Sequence, residues 1–205
     1  MKTSFPRIAR FERVSKDEFV RMCDEHYLNE IYSKEEIDAA YDSIVIPKRH
    51  TKGSAGYDFY SPFNITLEPG KSMIIPTGIK CQIFDMGWTL IILPRSSVGN
   101  RWRIQFDDTV PLIDADYYSC ADNQGHIYLQ ITNDIKYFND KPQQYLEYPN
   151  ERRNSRMGYY SHDPEAIAKI TQGQRFCQGV FLPYGITIND NTTAERTGPS
   201  GSTGL

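Results

Sequence analysis

The chain has 205 residues, a length typical of one domain with a sizeable core, and its formal net charge of −3 gives no electrostatic case for nucleic-acid binding. No apolar run is long enough to cross a membrane, and the first residues lack the apolar block of a secretory signal. Four widely spaced cysteines form no metal-binding pattern, so we expect reduced, mostly buried thiols in a cytoplasmic protein.

Residues 1–50 are predicted to form a short helical extension. Ser15 and Ser33 each precede a glutamate by three residues, which is the spacing of a capping box at the start of a helix. We expect both helices to pack on the main domain, because short isolated helices are marginally stable in water. The residues expected to line their packed faces are Phe19, Met22, Cys23 and His26 in the first helix and Ile37, Ala40 and Tyr41 in the second.

From residue 53 onward, short β-type runs alternate with Gly, Pro and Asp. This rhythm is typical of an all-β sandwich, jelly roll or barrel. The predicted strands are Tyr57–Tyr60, Ile65–Leu67, Ser72–Ile75, Gly78–Phe84, Thr89–Leu93, Tyr128–Thr132, Ala166–Thr171 and Gln178–Leu182.

The polar segment 135–165, rich in Tyr, Asn and Arg, interrupts this rhythm as an insertion. The Gly/Ser-rich residues 196–205 have the composition of a flexible arm. We therefore divide the chain into a helical extension (1–50), a β domain (51–195) that carries the insertion, and a C-terminal arm (196–205).

A carboxylate-rich stretch follows another short strand signal, Thr109–Ile113. Asp114 and Asp116 come directly after it, and Tyr117 adds a flat ring. A carboxylate placed just past a strand can project into a cleft and take a proton from water. The alternative is an ordinary hairpin turn, since Asp is a common turn residue, and on this stretch alone the turn is favoured.

Four other stretches suit anion binding. Residues 94–99 combine an arginine with two hydroxyls and exposed backbone N–H groups, although a loop with a helix cap reads equally well. Residues 173–178 place a turn before a strand that carries Arg and Gln, and residues 55–58 place a carboxylate after a Gly-aromatic turn. The tail from Arg196 resembles a phosphate-cradling loop without the Lys and helix of a P-loop. Together with the carboxylates that follow the Thr109–Ile113 strand signal, these stretches indicate a phosphoanhydride substrate.

The order and spacing of these stretches closely resemble one family, the trimeric deoxyuridine triphosphate nucleotidohydrolases (dUTPases). The resemblance covers roughly residues 53–204 and leaves out the first 50 residues and the insertion. The stretches that resemble its five motifs are, in order, Ala55–Ser61, Pro94–Gly99, Leu112–Tyr117, Gly173–Phe181 and Arg196–Gly204.

The resemblance implies a jelly-roll-like β barrel assembled as a homotrimer, with sites between subunits and a C-terminal arm that closes over the substrate. It implies Mg²⁺-dependent hydrolysis of dUTP to dUMP and pyrophosphate. By this resemblance Asp114 is the general base that activates water, with Asp116 as the alternative. Tyr117 packs beneath the deoxyribose and excludes a 2′-hydroxyl, and Asp58 holds Mg²⁺ through water. The residues expected to contact phosphates are Arg95, Ser96, Ser97, Gln178, Arg196, Ser202 and Thr203.

Three departures from the family pattern lie near base recognition. Ser200 replaces the aromatic residue that stacks on uracil in the arm. Asp108 and Pro111 stand where the family commonly has Asn and Gly in the uracil-reading hairpin. Asp108 puts a carboxylate, which only accepts hydrogen bonds, in place of an amide that also donates. Pro111 removes a backbone N–H donor. Residues 118–125 form a lengthened turn, and Tyr118, Tyr159 and Tyr160 are candidates to supply a ring in place of the arm's aromatic.

Three alternatives therefore stay open beside dUTP hydrolysis. The departures allow a dCTP-directed pyrophosphatase. A dCTP deaminase of the same fold also has an Arg-Ser-Ser loop, but Asp116-Tyr117 stands where that group has its catalytic Glu. The third alternative is a dUTPase-like regulator that binds a protein partner through residues 135–165.

Overall fold

The computed structural model describes residues 5–134, 137–138, 141–142, 167–196 and 198, with the backbone alone at 100–102, 137–138 and 141–142. Antiparallel strands hold more of these residues than helices do and form all the sheets, which confirms the all-β fold. The strands are β1 (Ala9–Arg13), β2 (Tyr57–Tyr60), β3 (Ile65–Leu67), β4 (Ser72–Ile83), β5 (Trp88–Pro94), β6 (Ile104–Phe106), β7 (Leu112–Ile113), β8 (Ile127–Asn133), β9 (Tyr137–Phe138), β10 (Lys141–Pro142), β11 (Ala168–Ile170) and β12 (Arg175–Pro183). The helices are α1 (Lys16–Glu25), α2 (Lys34–Asp42) and α3 (Ser96–Trp102), with short 3-10 helices at Leu28–Glu30 and Ala115–Ser119.

Two four-stranded sheets form the body of the fold. One has the strand order β1-β4-β8-β6 and the other β2-β12-β5-β7, while the pairs β3/β11 and β9/β10 stand apart. Strand β8 shows why these segments are strands: Ile127, Leu129, Ile131 and Asn133 are buried, and the residues between them are less buried. This period of two places one face of the strand in the core.

The predicted runs Ser72–Ile75 and Gly78–Phe84 are one strand, β4, interrupted by a register shift between Pro76 and Ile79. Gly78 at this irregularity has φ +70°, and a Cβ there would lie 2.1 Å from Cδ1 of Ile44. The position therefore requires glycine for both its backbone conformation and its packing.

The N-terminal segment contains a strand that the sequence did not predict. β1 pairs along β4, and the ring of its Phe11 lies 5.3–5.8 Å from the rings of Tyr57, Phe59 and Phe181 in the second sheet. β1 therefore extends one sheet and packs against the other. The boundaries proposed at residues 50 and 195 stay a prediction.

Both predicted helices form at their serines. Ser33 and Glu36 make a complete capping box, and Ser15 accepts a hydrogen bond from the backbone N–H of Glu18. Phe19, Met22, Cys23, Ile37 and Ala40 are buried, and Tyr41 is partly buried against the same core. Every helix among the described residues is too short or too polar to cross a bilayer. All four cysteines are free and buried, as the sequence predicts.

Candidate active site

The first candidate group surrounds a buried carboxylate on β2. Asp58 lies between two guanidinium groups, with its Oδ2 3.1 Å from Nη1 of Arg175 and its Oδ1 3.4 Å from Nε of Arg95. Arg175 begins β12, which pairs with β2, and Arg95 follows β5, which pairs with the other edge of β12. Three adjacent strands thus bring one negative and two positive charges together. We call Asp58, Arg95, Arg175 and Gln178 the Asp58 group.

Gln178 completes this group from the middle of β12. It pairs with Asp58 on one side and with Leu93 on the other. A Cβ added at Gly56 would lie 2.3 Å from Oε1 of Gln178, so the Gln178 side chain passes directly over the Gly56 backbone. A side chain at residue 56, in the first predicted motif, would therefore force the fourth-motif glutamine to move.

The two serines predicted to contact phosphate begin α3. Ser96 and Ser97 are exposed, and the backbone N–H of Arg95 beside them donates to the carbonyl oxygen of Phe176 at 3.0 Å. This bond anchors the second predicted motif to the fourth. The hydroxyls of Ser96 and Ser97 and the guanidinium groups of Arg95 and Arg175 consequently lie near the adjacent ends of strands β5 and β12. This arrangement suits the binding of phosphate oxygens.

The second candidate group is built on the end of β7. Asp114 follows the strand and precedes the 3-10 helix that contains Asp116 and Tyr117. Arg196 bonds to both carboxylates, with Nη2 2.7 Å from Oδ2 of Asp114 and Nε 2.8 Å from Oδ1 of Asp116. Its guanidinium carbon lies 5.7 Å from the centroid of the Tyr117 ring. We call these four residues the Asp114 group.

The environment of Asp114 raises the pKa of its carboxyl group above the ordinary value. Burial is the main cause, and the negative charge of Asp116 adds to it, while Arg196 acts in the opposite direction. Such a shift is not needed for catalysis, since an ionised carboxylate can act as a base at pH 7. Because Arg196 partly offsets the other two influences, the proton affinity of Asp114 depends on where the C-terminal arm lies.

Tyr117 is held rigidly by its hydroxyl group. The side chain is buried, and its hydroxyl donates to the carbonyl oxygen of His126 at 2.8 Å and accepts from Nδ2 of Asn123 at 2.7 Å. Arg196 lies near its ring. Tyr118 turns elsewhere, because its hydroxyl donates to Glu12 at 2.5 Å and Nζ of Lys80 lies 4.6 Å from its ring centroid.

The predicted base-reading hairpin is the connection between β6 and β7, which lie in different sheets and do not pair with each other. Thr109 and Val110, which the sequence placed in a strand, are instead in the turn, where Thr109 has φ +65°. The strand prediction was wrong there because the N–H of Thr109 bonds back to the carbonyl of Phe106, closing the turn. Asp108 is exposed at this turn, and partial desolvation raises the pKa of its carboxyl group.

No ion pair joins the Asp58 group to the Asp114 group within the described residues. The same part of the chain contains no cluster of three or more metal-binding side chains. Ser200, Ser202, Thr203, Tyr159 and Tyr160 lie outside the described residues, as does the insertion 135–165 apart from the short strands at 137–138 and 141–142.

Arg175 lies in a stretch that the sequence predicts to bind anions, but its pairing with Asp58 and the part played by Asn123 were not predicted. Arg175 stands in the fourth motif, and only the register of β12 against β2, in which Arg175 lies opposite Tyr60, brings its side chain within reach of Asp58. Asn123 lies in the lengthened turn, and nothing in the sequence indicated that this turn folds back onto the Tyr117 hydroxyl.

Comparison with known proteins identifies the family. The dUTPase family model matches residues 42–136. The deoxyuridine 5′-triphosphate nucleotidohydrolase of Lactococcus lactis is 34% identical over 163 residues, which cover 78% of this chain and 89% of that protein. The enzyme of the same name from Blochmanniella pennsylvanica is 35% identical over 114 residues, covering 55% of this chain and 68% of its own length.

Solved structures show the same fold. The Streptococcus mutans dUTPase superimposes with a TM-score of 0.53 at 23% identity, covering 86% of this chain and 97% of that one. A dUTPase of Staphylococcus bacteriophage 80alpha superimposes with a TM-score of 0.54 at 17% identity, covering 94% of this chain and all of that one. With the L. lactis relative matched over most of both sequences, the chain belongs to the dUTPase family, the deoxyuridine 5′-triphosphate nucleotidohydrolases.

Proposed function

We propose that the protein hydrolyses dUTP to dUMP and pyrophosphate by attack of water on the α-phosphate. The observation that carries this proposal is the Asp114 group, in which a half-buried carboxylate, a tyrosine ring and the first residue of the C-terminal arm meet. Phosphoryl transfer depends mainly on positioning and charge stabilisation, and this group together with the Asp58 group offers both.

Asp114 is the proposed general base. Its carboxylate lies at the end of a strand beside a 3-10 helix, so the backbone on both sides restricts its position. It takes a proton from water as the water oxygen bonds to the α-phosphorus, and the bond from that phosphorus to the bridging oxygen of pyrophosphate breaks. A positioned base of this kind contributes about 10²–10⁴-fold to rate.

Tyr117 is the proposed sugar-discriminating residue. Because its hydroxyl is satisfied on both sides by His126 and Asn123, the ring cannot swing aside to admit a bulkier sugar. A rigid ring beneath the deoxyribose leaves no room for a 2′-hydroxyl, which accounts for selection against ribonucleotides.

The proposed phosphate contacts come from Arg95, Ser96, Ser97 and Gln178, and from Ser202 and Thr203 outside the described residues. Arg196 bonds Asp114 and Asp116 in this structure. We propose that it exchanges these carboxylates for the γ-phosphate when dUTP binds, because a triphosphate offers a higher negative charge. Arm closure then frees Asp114 to accept a proton only when the bound nucleotide carries its γ-phosphate.

A magnesium ion fits the Asp58 group only through water and phosphate. Both oxygens of Asp58 already face guanidinium groups, and the described residues contain no cluster of three or more metal-binding side chains. Mg²⁺ characteristically keeps several waters and binds through one or two carboxylates plus substrate phosphates. When bound, it would supply charge neutralisation for the pyrophosphate leaving group, and Asp58 would hold it through its water ligands.

We further propose a homotrimer in which the two groups that form one site come from different subunits. The two groups are not joined by an ion pair within the described part of one chain. The segment leading to Arg196 also exposes large apolar side chains that a neighbouring subunit would cover. These residues are Leu182, Tyr184, Ile186 and Ile188.

Asp108 supports a second candidate, a pyrophosphatase that prefers dCTP. Its carboxylate is exposed in the hairpin and can accept only, so it suits the exocyclic amine of cytosine better than a carbonyl of uracil. Incubating the protein with dUTP, dCTP and UTP in the presence of Mg²⁺ and resolving the products separates the possibilities. We expect dUMP and pyrophosphate from dUTP at the highest kcat/KM. A higher value for dCTP with release of pyrophosphate would transfer the assignment to dCTP, and dUTP formed from dCTP would indicate a deaminase.

A further inference from the structure

Glu18 is an unusual capping-box glutamate, because its side chain does not return to the N-cap. In α2 the corresponding Glu36 accepts from the backbone N–H of Ser33, completing the box. In α1 the backbone half of the box is present, but the carboxylate of Glu18 turns inward and is 4% exposed. There it meets Arg21, which donates from Nε at 2.9 Å and from Nη2 at 3.1 Å, and His126, whose Nδ1 lies 3.4 Å away.

His126 is completely buried and is held through both ring nitrogens. Its Nε2 accepts a hydrogen bond of 2.8 Å from the backbone N–H of Gly78, so in the neutral ring the proton is on Nδ1 and points to Glu18. Burial lowers the pKa of His126, which favours this neutral form. The Gly78 N–H therefore fixes the tautomer, and Glu18, which faces the resulting Nδ1–H, helps to hold the orientation of the ring.

The backbone of His126 continues this connection to the candidate active site. Its carbonyl oxygen accepts from the hydroxyl of Tyr117, and its N–H donates to the carbonyl of Asn123 at 2.8 Å. Asn123 in turn donates its side-chain amide to the same tyrosine hydroxyl. Any shift of His126 consequently moves the acceptor that holds Tyr117 in place.

Two further contacts attach the same loop to the N-terminal segment. Gln124 exchanges hydrogen bonds with Ser15, accepting from its N–H at 3.1 Å and donating to its Oγ at 2.9 Å. Tyr118 donates to Glu12 on β1. The loop from Tyr117 to His126 is therefore attached to β1 and α1 at three points, of which the Glu18–His126 pair is the one buried in the core.

We propose that Glu18 is a positioning residue for the active site: through His126 it holds the Tyr117 ring, and so it contributes to the choice of deoxyribose over ribose. This inference rests on the proposed function of Tyr117. It gives the N-terminal segment, which lies outside the family motifs, a part in substrate selection.

The test compares kcat and KM for dUTP and UTP in the wild type, Glu18→Ala, Glu18→Gln and Glu25→Ala. We expect Glu18→Ala to raise KM for dUTP and to reduce the dUTP/UTP ratio of kcat/KM by about ten- to a hundredfold, the scale of a small misplacement near a reacting group. Glu18→Gln keeps an acceptor for Nδ1–H and should stay within about threefold of the wild-type ratio. Glu25→Ala removes an exposed charge that also pairs with Arg21, and should leave the ratio unchanged.

Thermal unfolding of each variant separates positioning from stability. A Glu18→Ala protein that unfolds at lower temperature but keeps the wild-type dUTP/UTP ratio would overturn the proposal. If Glu18→Ala does not fold, the single variants Glu18→Gln and Tyr117→Phe are compared instead. Tyr117→Phe should lower the dUTP/UTP ratio of kcat/KM, because it breaks the bond to His126. An unchanged ratio in Tyr117→Phe would contradict the connection. A wild type that does not hydrolyse dUTP would instead contradict the proposed function.

Discussion

Arg196 bonds directly to Asp114, the proposed base, with 2.7 Å between Nη2 and Oδ2 and the Tyr117 ring alongside. The first residue of the C-terminal arm thereby neutralises the carboxylate that must accept a proton. The Arg196 side chain is 13% exposed and the Asp114 side chain 44%, so the contact is partly shielded from solvent. Turnover in this account requires Arg196 to leave Asp114 for the substrate phosphates.

The pH dependence of kcat/KM reports this contact, because kcat/KM reflects the groups of the free enzyme. Burial and Asp116 raise the pKa of Asp114, and Arg196 lowers it. The base must be ionised, so activity falls as the pH drops through this pKa. Arg196→Ala should therefore move the acid limb to higher pH, and Asp116→Asn should move it to lower pH. Shifts in the same direction for both variants would be inconsistent with Asp114 as the titrating group.

Asp114→Asn should bind dUTP but lose turnover by about 10²–10⁴-fold, because the amide cannot take a proton from water. Asp122→Asn is the matched control, since it removes an equal charge from an exposed position in the loop that follows. Binding is measured with a non-hydrolysable dUTP analogue and turnover by pyrophosphate release. Normal turnover in Asp114→Asn together with loss in Asp116→Asn would assign the base to Asp116.

Mixed trimers test whether sites form between subunits. Subunits carrying Asp114→Asn keep the Asp58 group, and subunits carrying Arg95→Ala keep the Asp114 group. If the Asp58 group of one chain completes the Asp114 group of another, mixing the two impaired proteins should restore part of the activity. The Arg196–Asp114 contact lies within one chain, so arm-truncated subunits should not be rescued by subunits carrying Asp114→Asn. Absence of restored activity after verified subunit exchange, or a fully active monomer in sedimentation, would show that each chain forms its own site.

The Glu18–His126 pair should make the protein less stable in acid. Burial lowers the pKa of His126, and the hydrogen bond and charge of Glu18 oppose this shift without reversing it, while Arg21 on α1 and His26 directly after α1 act in the same direction as burial. When the pH falls below the ordinary histidine pKa of 6.5, His126 in the unfolded chain takes up a proton that the buried His126 of the folded protein does not bind. The free energy of unfolding therefore decreases as the pH falls. Burial alone would raise the pKa of Glu18, but bonds from His126 and Arg21 lower it, so its contribution is lost only below the ordinary value of 4.5.

We expect the urea midpoint of the wild type to decrease between pH 7 and pH 5. His126→Asn should lower the midpoint at every pH, because it disrupts a filled core, yet show a shallower decrease across this interval. Parallel slopes for the two proteins would mean that His126 does not titrate on unfolding.

The motifs and most strands could be predicted because they depend on local pattern. The alternation in β8 and the glycine-punctuated β2 and β12 appear in the sequence as they appear in the fold. β1 was missed because it is a strand only through pairing with β4, and its residues show no clear alternation.

The site was predictable in its residue types but less so in its contacts. Asp58, Gln178 and Asp114 could be identified by motif, whereas the pairing of Asp58 with Arg175 depends on strand register. Glu18 shows the opposite difficulty. A capping box explained it fully by local spacing, and only the tertiary structure shows that its carboxylate serves His126 instead.

Hydrolysis of dUTP in water enriched in oxygen-18 tests the central claim most directly, with the label located by mass spectrometry of both products. Attack of an Asp114-activated water on the α-phosphate predicts one labelled oxygen in dUMP and none in pyrophosphate, at a rate that Asp114→Asn reduces by about 10²–10⁴-fold. Label in pyrophosphate, release of inorganic phosphate as the first product, or an unchanged rate in Asp114→Asn would contradict the account.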